Sequence, residues 1–418
     1  MEPHLVDFQL PPPDPALRLV TIVPAKNEER TLPATLAALY QQTDPEGRAV
    51  DKRWYEVIVL ANNCSDATAE VAEAFARAHP DGQFHVVTCQ LPPPYAHIGY
   101  VRRILMDEAY RRLMSPGYPQ DGRSPNGYSP NGHFRRYSLQ GVIASTDGDS
   151  TVNATWVYHT LKAVQRGADV VGGRIRTNTQ AIGRRYYLQD VMYRYLQAQL
   201  ESIIDPQSAD PWPRHFQNFG PSLAVTCELY ERAGRLPVLR SMEDVRFYEA
   251  LQRCDARIRH CPNVQVLTSA RTQGRVDFGF SVQLQQWEQM LQQGEPFVVP
   301  PADYWAFRFT LQQHLRQAWQ RRSLLALQPV AQWFCISPYF LFNRMESSRY
   351  FGAFWQWFAQ LPEFDQLVAQ RFAPVAITGA IAGLRHLVGQ VTPFVPIGLG
   401  DSGPFVGAVG ASTEALAH

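Results

Sequence analysis

Three times before residue 114 the chain passes from a short apolar, β-branched run through a polar turn into a helix-spaced segment. Residues 18–24 (RLVTIVP) and 56–60 (EVIVL) are apolar at nearly every position, so each reads as a strand buried on both faces. Residues 84–88 read as a third strand. The segments behind them, 29–40, 65–78 and 99–113, carry helical patterning, with Leu32, Leu36 and Leu39 in the first and Pro80 closing the second. Strands alternating with helices imply an α/β fold, a mostly parallel sheet with helices on both faces.

The pattern continues less regularly. Residues 115–137 contain the repeated turn sequence S-P-N-G and read as a flexible surface insertion. Strand 140–145 runs directly into Thr146-Asp147-Gly148-Asp149-Ser150. A helix over 155–166, a strand over 169–174 and a helix over about 183–202 follow. A loop rich in Pro and Asp spans 205–217. After 218–225 come helices from about Cys227 and over about 242–254, then a strand over 264–268, with His260 placed before it as a surface residue. Beyond about 277 the texture becomes aromatic-rich and helical. The expected organisation is an extended Pro-rich arm at 1–17, an α/β domain at 18–277, a helical C-terminal region at 278–390 and a Gly/Pro-rich tail at 391–418.

Composition narrows the function classes. A 418-residue chain with 45% hydrophobic and 18% charged residues is globular. Its formal net charge of +1 provides no field for nonspecific nucleic-acid binding. Only Lys26, Lys52 and Lys162 are lysines, so arginine supplies almost all the positive charge. Codon bias accounts for most of that; the sharper reading is that a few arginines use their planar fork on phosphate or carboxylate. The six cysteines include no C-x-x-C pair and read as free thiols. The first residues lack a secretory pattern, which points to a cytoplasmic protein. Residues 323–343 carry no formal charge, but Pro329 and Pro338 argue against one spanning helix. A buried helical core is the favoured reading, and peripheral membrane contact stays open.

The sharpest chemical feature is Asp147-Gly148-Asp149 at a strand end. Two carboxylates flanking one small residue there can hold Mg²⁺ or Mn²⁺ against diphosphate oxygens, although D-G-D is also an ordinary turn. Its context is a row of polar turns: Pro24 to Glu29 closes the first strand, Ala61 to Thr68 the second, and Gly99 to Arg102 opens the third helix. In open α/β sheets such turns line one ligand-binding edge.

With these elements in order, residues 18–275 resemble a GT-A-fold nucleotide-sugar glycosyltransferase, similar to family 2. The P-x-x-N-E element is matched by Pro24 to Glu28, the D-x-D by Asp147 and Asp149, and the downstream E-D pair by Glu243-Asp244. The resemblance implies that Pro24, Ala25 and Glu28 line a nucleoside pocket. Asn62 stands where the family usually has aspartate, which leaves the base identity open. Arg102 would reach the diphosphate, Asp149 would be the main metal ligand, and Asp147 would lie near the ribose or metal. Asp244, beside Glu243, would be the general base of an inverting transfer, taking a proton from the acceptor hydroxyl. The alternative for this pair is carboxylates that merely favour a helix N-terminus. Gln283 to Trp287 resembles the Q-x-x-R-W signature of processive members, but Gln286 replaces the arginine, so a non-processive enzyme is expected. The implied partners are a nucleoside-diphosphate sugar donor and an unidentified acceptor. A non-catalytic nucleotide-sugar-binding module is the competing reading. Gly172-Gly173-Arg174 reads either as a close backbone approach for substrate or as packing. Arg271 and Arg275 are weaker diphosphate candidates. Trp305, Trp355 and Trp357 read as core.

Overall fold

A computed structural model describes residues 6–115, 141–177, 184–269 and 280–390. The insertion, apart from Ser115, and the tail fall outside the described residues, as do Arg271 and Arg275.

The alternation expected from the sequence is present. It runs β1 (Leu19–Ala25), α1 (Leu32–Tyr40), β2 (Tyr55–Asn62), α2 (Thr68–Ala78), β3 (Phe84–Cys89) and α3 (Ile98–Leu113). Next come β4 (Val142–Ser145), β5 (Ser150–Val152), α4 (Trp156–Gln165), β6 (Val170–Thr177) and α5 (Arg184–Ile204). The sheet half ends with β7 (Leu223–Thr226), α6 (Cys227–Arg232), α7 (Glu243–Arg253) and β8 (Ile258–Thr268). All eight strands form one sheet in the order β3-β2-β1-β4-β7-β6-β8-β5. Pairing is parallel for β1–β2, β2–β3, β1–β4 and β6–β8. It is antiparallel where β7 meets β4 and β6, and where β5 meets β8. The result is a mostly parallel sheet flanked by helices.

Every residue of β1 and β2 is buried because helices cover both faces of the sheet. Along β1, Val20 and Ile22 enter a core with Ile58 and Leu105, whereas Leu19 and Val23 enter one with Leu36 and Trp156. This is the two-residue alternation of a strand dividing between two hydrophobic layers. The Pro-rich arm is tied down: Val6, Phe8 and Leu10 pack on the first of these cores, and the Pro11 carbonyl accepts a hydrogen bond from Arg112.

One strand differs from its sequence reading. β8 starts six residues before 264, so His260 lies inside it, paired with Gly172 of β6, and is half-buried rather than on the surface. The polar run I-R-H-C-P-N hides this strand in sequence. It becomes a strand because β6 offers a partner and the 205–217 loop supplies carboxylates for its side chains.

The remaining elements are α8 (Phe280–Gln293), β9 (Val298–Val299), α9 (Ala302–Arg321), α10 (Leu324–Trp333), α11 (Pro338–Ser347), α12 (Phe351–Phe358), α13 (Pro362–Arg371), β10 (Val375–Ala376) and α14 (Ile377–Gln390). Phe307, Leu315, Phe334, Phe354 and Phe358 centre one core. A second joins Tyr193, Leu196 and Leu200 of α5 to Phe309 of α9 and Leu384 of α14, so α5 packs with helices that follow it by more than a hundred residues. Trp355 is buried, while Trp305 and Trp357 are partly buried beside these cores. Residues 323–343 fold as α10 and most of α11 with a turn between them. Among the described residues, no helix is long and apolar enough to cross a membrane.

Candidate active site

The carboxyl ends of β1, β2 and β4 carry turns that hydrogen-bond to one another. Pro24 and Ala25 end β1 in register with Leu60 and Ala61 of β2. Asn27 and Asn63 then take the left-handed conformation, with φ of 53° and 49°. Asparagine tolerates that region because its side chain can bond locally. The Asn27 amide donates to Ser65 Oγ at 3.1 Å and accepts the Ser65 N–H at 2.8 Å. Glu28 is buried. Its N–H donates to Thr68 Oγ1 at 2.7 Å, and its carboxylate accepts the Thr31 hydroxyl at 2.6 Å. Asn62 is buried at the end of β2, and Asn63 clamps Leu91 through both its N–H and C=O groups. The D-x-D loop joins this assembly where Thr35 donates to the Gly148 carbonyl at 3.1 Å. Pro24, Ala25, Glu28 and Asn62 therefore line one edge, adjoining Asp147 to Asp149.

The link to the distant E-D pair is Arg102. Arg102 is 5% exposed; its guanidinium donates to Asp147 Oδ1 at 2.9 Å and, on the other side, to the Glu243 carboxylate. Among the described residues its Nε has no hydrogen-bond acceptor. The group lies against Gly220, where a Cβ would sit 2.6 Å from Nη2, so any larger residue would force the guanidinium to shift. The Gly220 N–H in turn donates to Asp244 Oδ2 at 2.8 Å, and Asp244 Oδ1 accepts the Val245 N–H at 2.8 Å. Two carboxylates, Asp147 and Glu243, thus share one cation, with the charge of Asp244 nearby. Burial raises the pKa of Asp147 and Glu243, with Arg102 opposing and the neighbouring carboxylates adding to the rise. Asp149 stands on the other side of Gly148, where its carboxylate accepts hydroxyl bonds from Ser150 and Ser269.

The sequence singles out Asn218-Phe219-Gly220, as resembling the stretch before the acceptor side in family 2, but neither Ser269 nor the contacts that place Gly220. Gly220 and Ser269 act through contacts separated by 24 and 120 residues, for which sequence offers no spacing signal. A second polar network lies nearby. His260 Nδ1 bonds Asp210 at 2.6 Å, and its Nε2 lies 3.2 Å from the Tyr248 hydroxyl, one helical turn after Asp244. Arg214 also pairs with Asp210, at 2.8 Å. The glycines Gly172 and Gly173 admit the Gln217 carbonyl and the Ser222 side chain, so the packing reading holds for them.

Residues 20–90, which include the first two turns, match the family described as Glycosyl transferase family 2. Over this segment the chain is family 2-like. A dolichyl-phosphate beta-glucosyltransferase of Drosophila melanogaster is 34% identical over 82 residues, which are 19% of this chain and 25% of that protein. The match thus spans a quarter of that relative's length. Among solved structures, residues 1–349 of S. aureus TarS in complex with UDP align over 89% of this chain and 90% of that one, with 13% identity and a TM-score of 0.40. The mannosyltransferase PcManGT from Pyrobaculum calidifontis, in complex with GDP-Man and Mn2+, aligns over 84% and 90% with 17% identity and a TM-score of 0.39.

Proposed function

We propose that this family 2-like chain is an inverting, non-processive glycosyltransferase that moves a sugar from a nucleoside-diphosphate sugar to an acceptor hydroxyl. The observation that carries this reading is the Asp147–Arg102–Glu243 bridge, which joins the D-x-D edge to the E-D helix end. Pro24, Ala25, Glu28 and Asn62 form the nucleoside side. Asp244 is the base: two backbone N–H groups fix its carboxylate, and the attacking hydroxyl gives its proton to that carboxylate as it bonds C1 of the sugar. The nucleoside diphosphate leaves with the electron pair of the broken bond.

The residues fit a hard divalent cation. Asp149 and its hydroxyl neighbours are oxygen donors, although among the described residues no group of three or more His, Cys, Asp or Glu is placed to hold a metal ion. Oxygen donors of this kind suit Mg²⁺ or Mn²⁺, whose remaining ligands would come from phosphate and water. Bound on Asp149 with Asp147 alongside, the ion would neutralise charge on the departing diphosphate. Arg102 is already engaged by two carboxylates, so its proposed role is to position Asp147 and Glu243 rather than to grip the diphosphate. Peripheral membrane contact belongs to the same proposal, through the exposed Leu325, Tyr339 and Phe340 of α10 and α11 beside Arg321 and Arg344.

The test is a thermal-shift panel of nucleoside diphosphates with and without Mn²⁺, followed by transfer assays on Asp149→Ala and Asp244→Asn. Both variants should lose transfer, and only the first should lose Mn²⁺-dependent nucleotide affinity. Full turnover by Asp244→Asn overturns the base assignment. A wild-type chain that binds nucleotide sugars but neither transfers nor hydrolyses them is a binding module.

A further inference from the structure

Beside this site, β6 carries two arginines that the proposed reaction does not use. Arg174 and Arg176 flank Ile175, which packs into the core, and both are exposed on the other face of the strand. They pair across to Gln265 and Leu267 of β8, and Leu267 is 48% exposed. Among the described residues neither arginine forms an ion pair, whereas Arg102, Arg112, Arg214 and Arg257 are all held by carboxylates. The half-buried Tyr187 phenol lies within electrostatic reach of both.

Their place in the fold connects them to the reacting groups. The Gln217 side chain accepts the Ile175 N–H at 2.8 Å and donates to the Ile175 carbonyl at 2.9 Å, fixing the 217–220 segment to the strand between the arginines. Three residues further on, Gly220 holds Asp244. On the other side, Thr268 follows Leu267 and bonds Ser150, the neighbour of Asp149. The pair therefore lies between the segment that holds the base and the edge that carries the D-x-D.

We infer that Arg174 and Arg176 seat a phosphate ester on the acceptor, an inference that rests on the glycosyltransferase reading above. Alternate strand positions are about 6–7 Å apart, a spacing at which two planar forks can share one phosphate. A dianion held there would anchor the acceptor beside a centre rich in carboxylates, which would otherwise repel it, and would leave a hydroxyl free to meet Asp244. The phosphate could belong to a soluble ester or to a lipid headgroup.

The test uses the full chain, saturated with Mn²⁺ and the nucleoside diphosphate that gives the largest thermal shift. Binding is measured to glycerol 3-phosphate, and to phosphatidylcholine vesicles with and without phosphatidic acid. Arg174→Gln/Arg176→Gln, and separately Arg176→Glu, should weaken phosphate binding at least about tenfold, the loss of one strong contact, and leave the nucleotide shift intact. Arginine-dependent binding of glycerol 3-phosphate assigns a soluble acceptor; arginine-dependent binding confined to phosphatidic acid vesicles assigns a lipid. Wild-type binding of neither probe, or binding that survives both variants, overturns the inference. The nucleotide shift reports on the parent reading separately. Its absence from the wild type sinks glycosyl transfer, while its presence alongside arginine-independent phosphate binding sinks only the acceptor seat.

Discussion

Arg102 shows how one side chain can join two motifs almost a hundred residues apart. Its fork touches Asp147 on one side and Glu243 on the other, and it lies against the bare backbone of Gly220. A lysine would keep the charge but bond from a single point, so Arg102→Lys should leave one carboxylate unheld. We expect turnover to fall by about a hundredfold, the usual cost of an ångström-scale misplacement, with donor KM little changed. A raised KM with unchanged kcat would instead place Arg102 directly on the diphosphate. Gly220→Ala pushes a methyl group into the guanidinium and should lower turnover and melting temperature together, at about 1–3 kcal/mol for overpacking. Calorimetry alongside steady-state kinetics measures both. Arg112 is the structural counterpart: fully buried, it bonds Glu56 and the Pro11 carbonyl and ties α3 to β2 and to the arm.

Among the elements, the junction between sheet and C-terminal helices includes one carboxylate that caps a helix across it. Asp255, just past α7, accepts the N–H groups of Phe351 at 2.8 Å and Gly352 at 2.6 Å, capping α12 from a distant part of the chain. Capping bonds of this kind contribute about 0.5–2 kcal/mol. Asp255→Ala should therefore lower the melting temperature by a few degrees without altering nucleotide affinity, which a thermal melt with and without nucleotide will show. Much of this level was legible in the sequence. β1, β2, α1 and α3 follow their apolar periodicity closely because each is a local element with a strong burial pattern. β8 was read short because its first half is polar and depends on β6 and the 205–217 loop.

At the scale of the whole molecule, the buried polar network around His215 sets the response to acid. His215 is 5% exposed; burial, then the nearby His260, push its pKa down from the ordinary 6.5 to about 3. The unfolded chain takes up this proton near 6.5, whereas the folded chain resists it until about 3. Stability is thus fully present above 6.5 and falls as the pH drops towards 3, by about 1.4 kcal/mol per pH unit from this group alone. Asp210 adds a loss at lower pH: burial opposes its ionisation, but its bond and charge interaction with His260, and the charge of Arg214, hold it at about 2. That contribution is present above the ordinary 3.8 and disappears as the pH falls through about 2. Denaturant melts between about pH 7.5 and 4 should show this decline, and His215→Gln should flatten it. A slope unchanged by His215→Gln would rule this histidine out as the source.

The sequence alone determined the alternating strands and helices, the row of polar turns and the D-x-D and E-D pairs, because each depends on residues close together in the chain. Tertiary structure decided what the carboxylates face. The burial of Arg102 between Asp147 and Glu243, its close approach to Gly220, and the two exposed arginines of β6 arise only when segments far apart in sequence are packed onto one sheet edge. Periodicity reports which face of an element is buried, but it contains no information about the partner brought to that face.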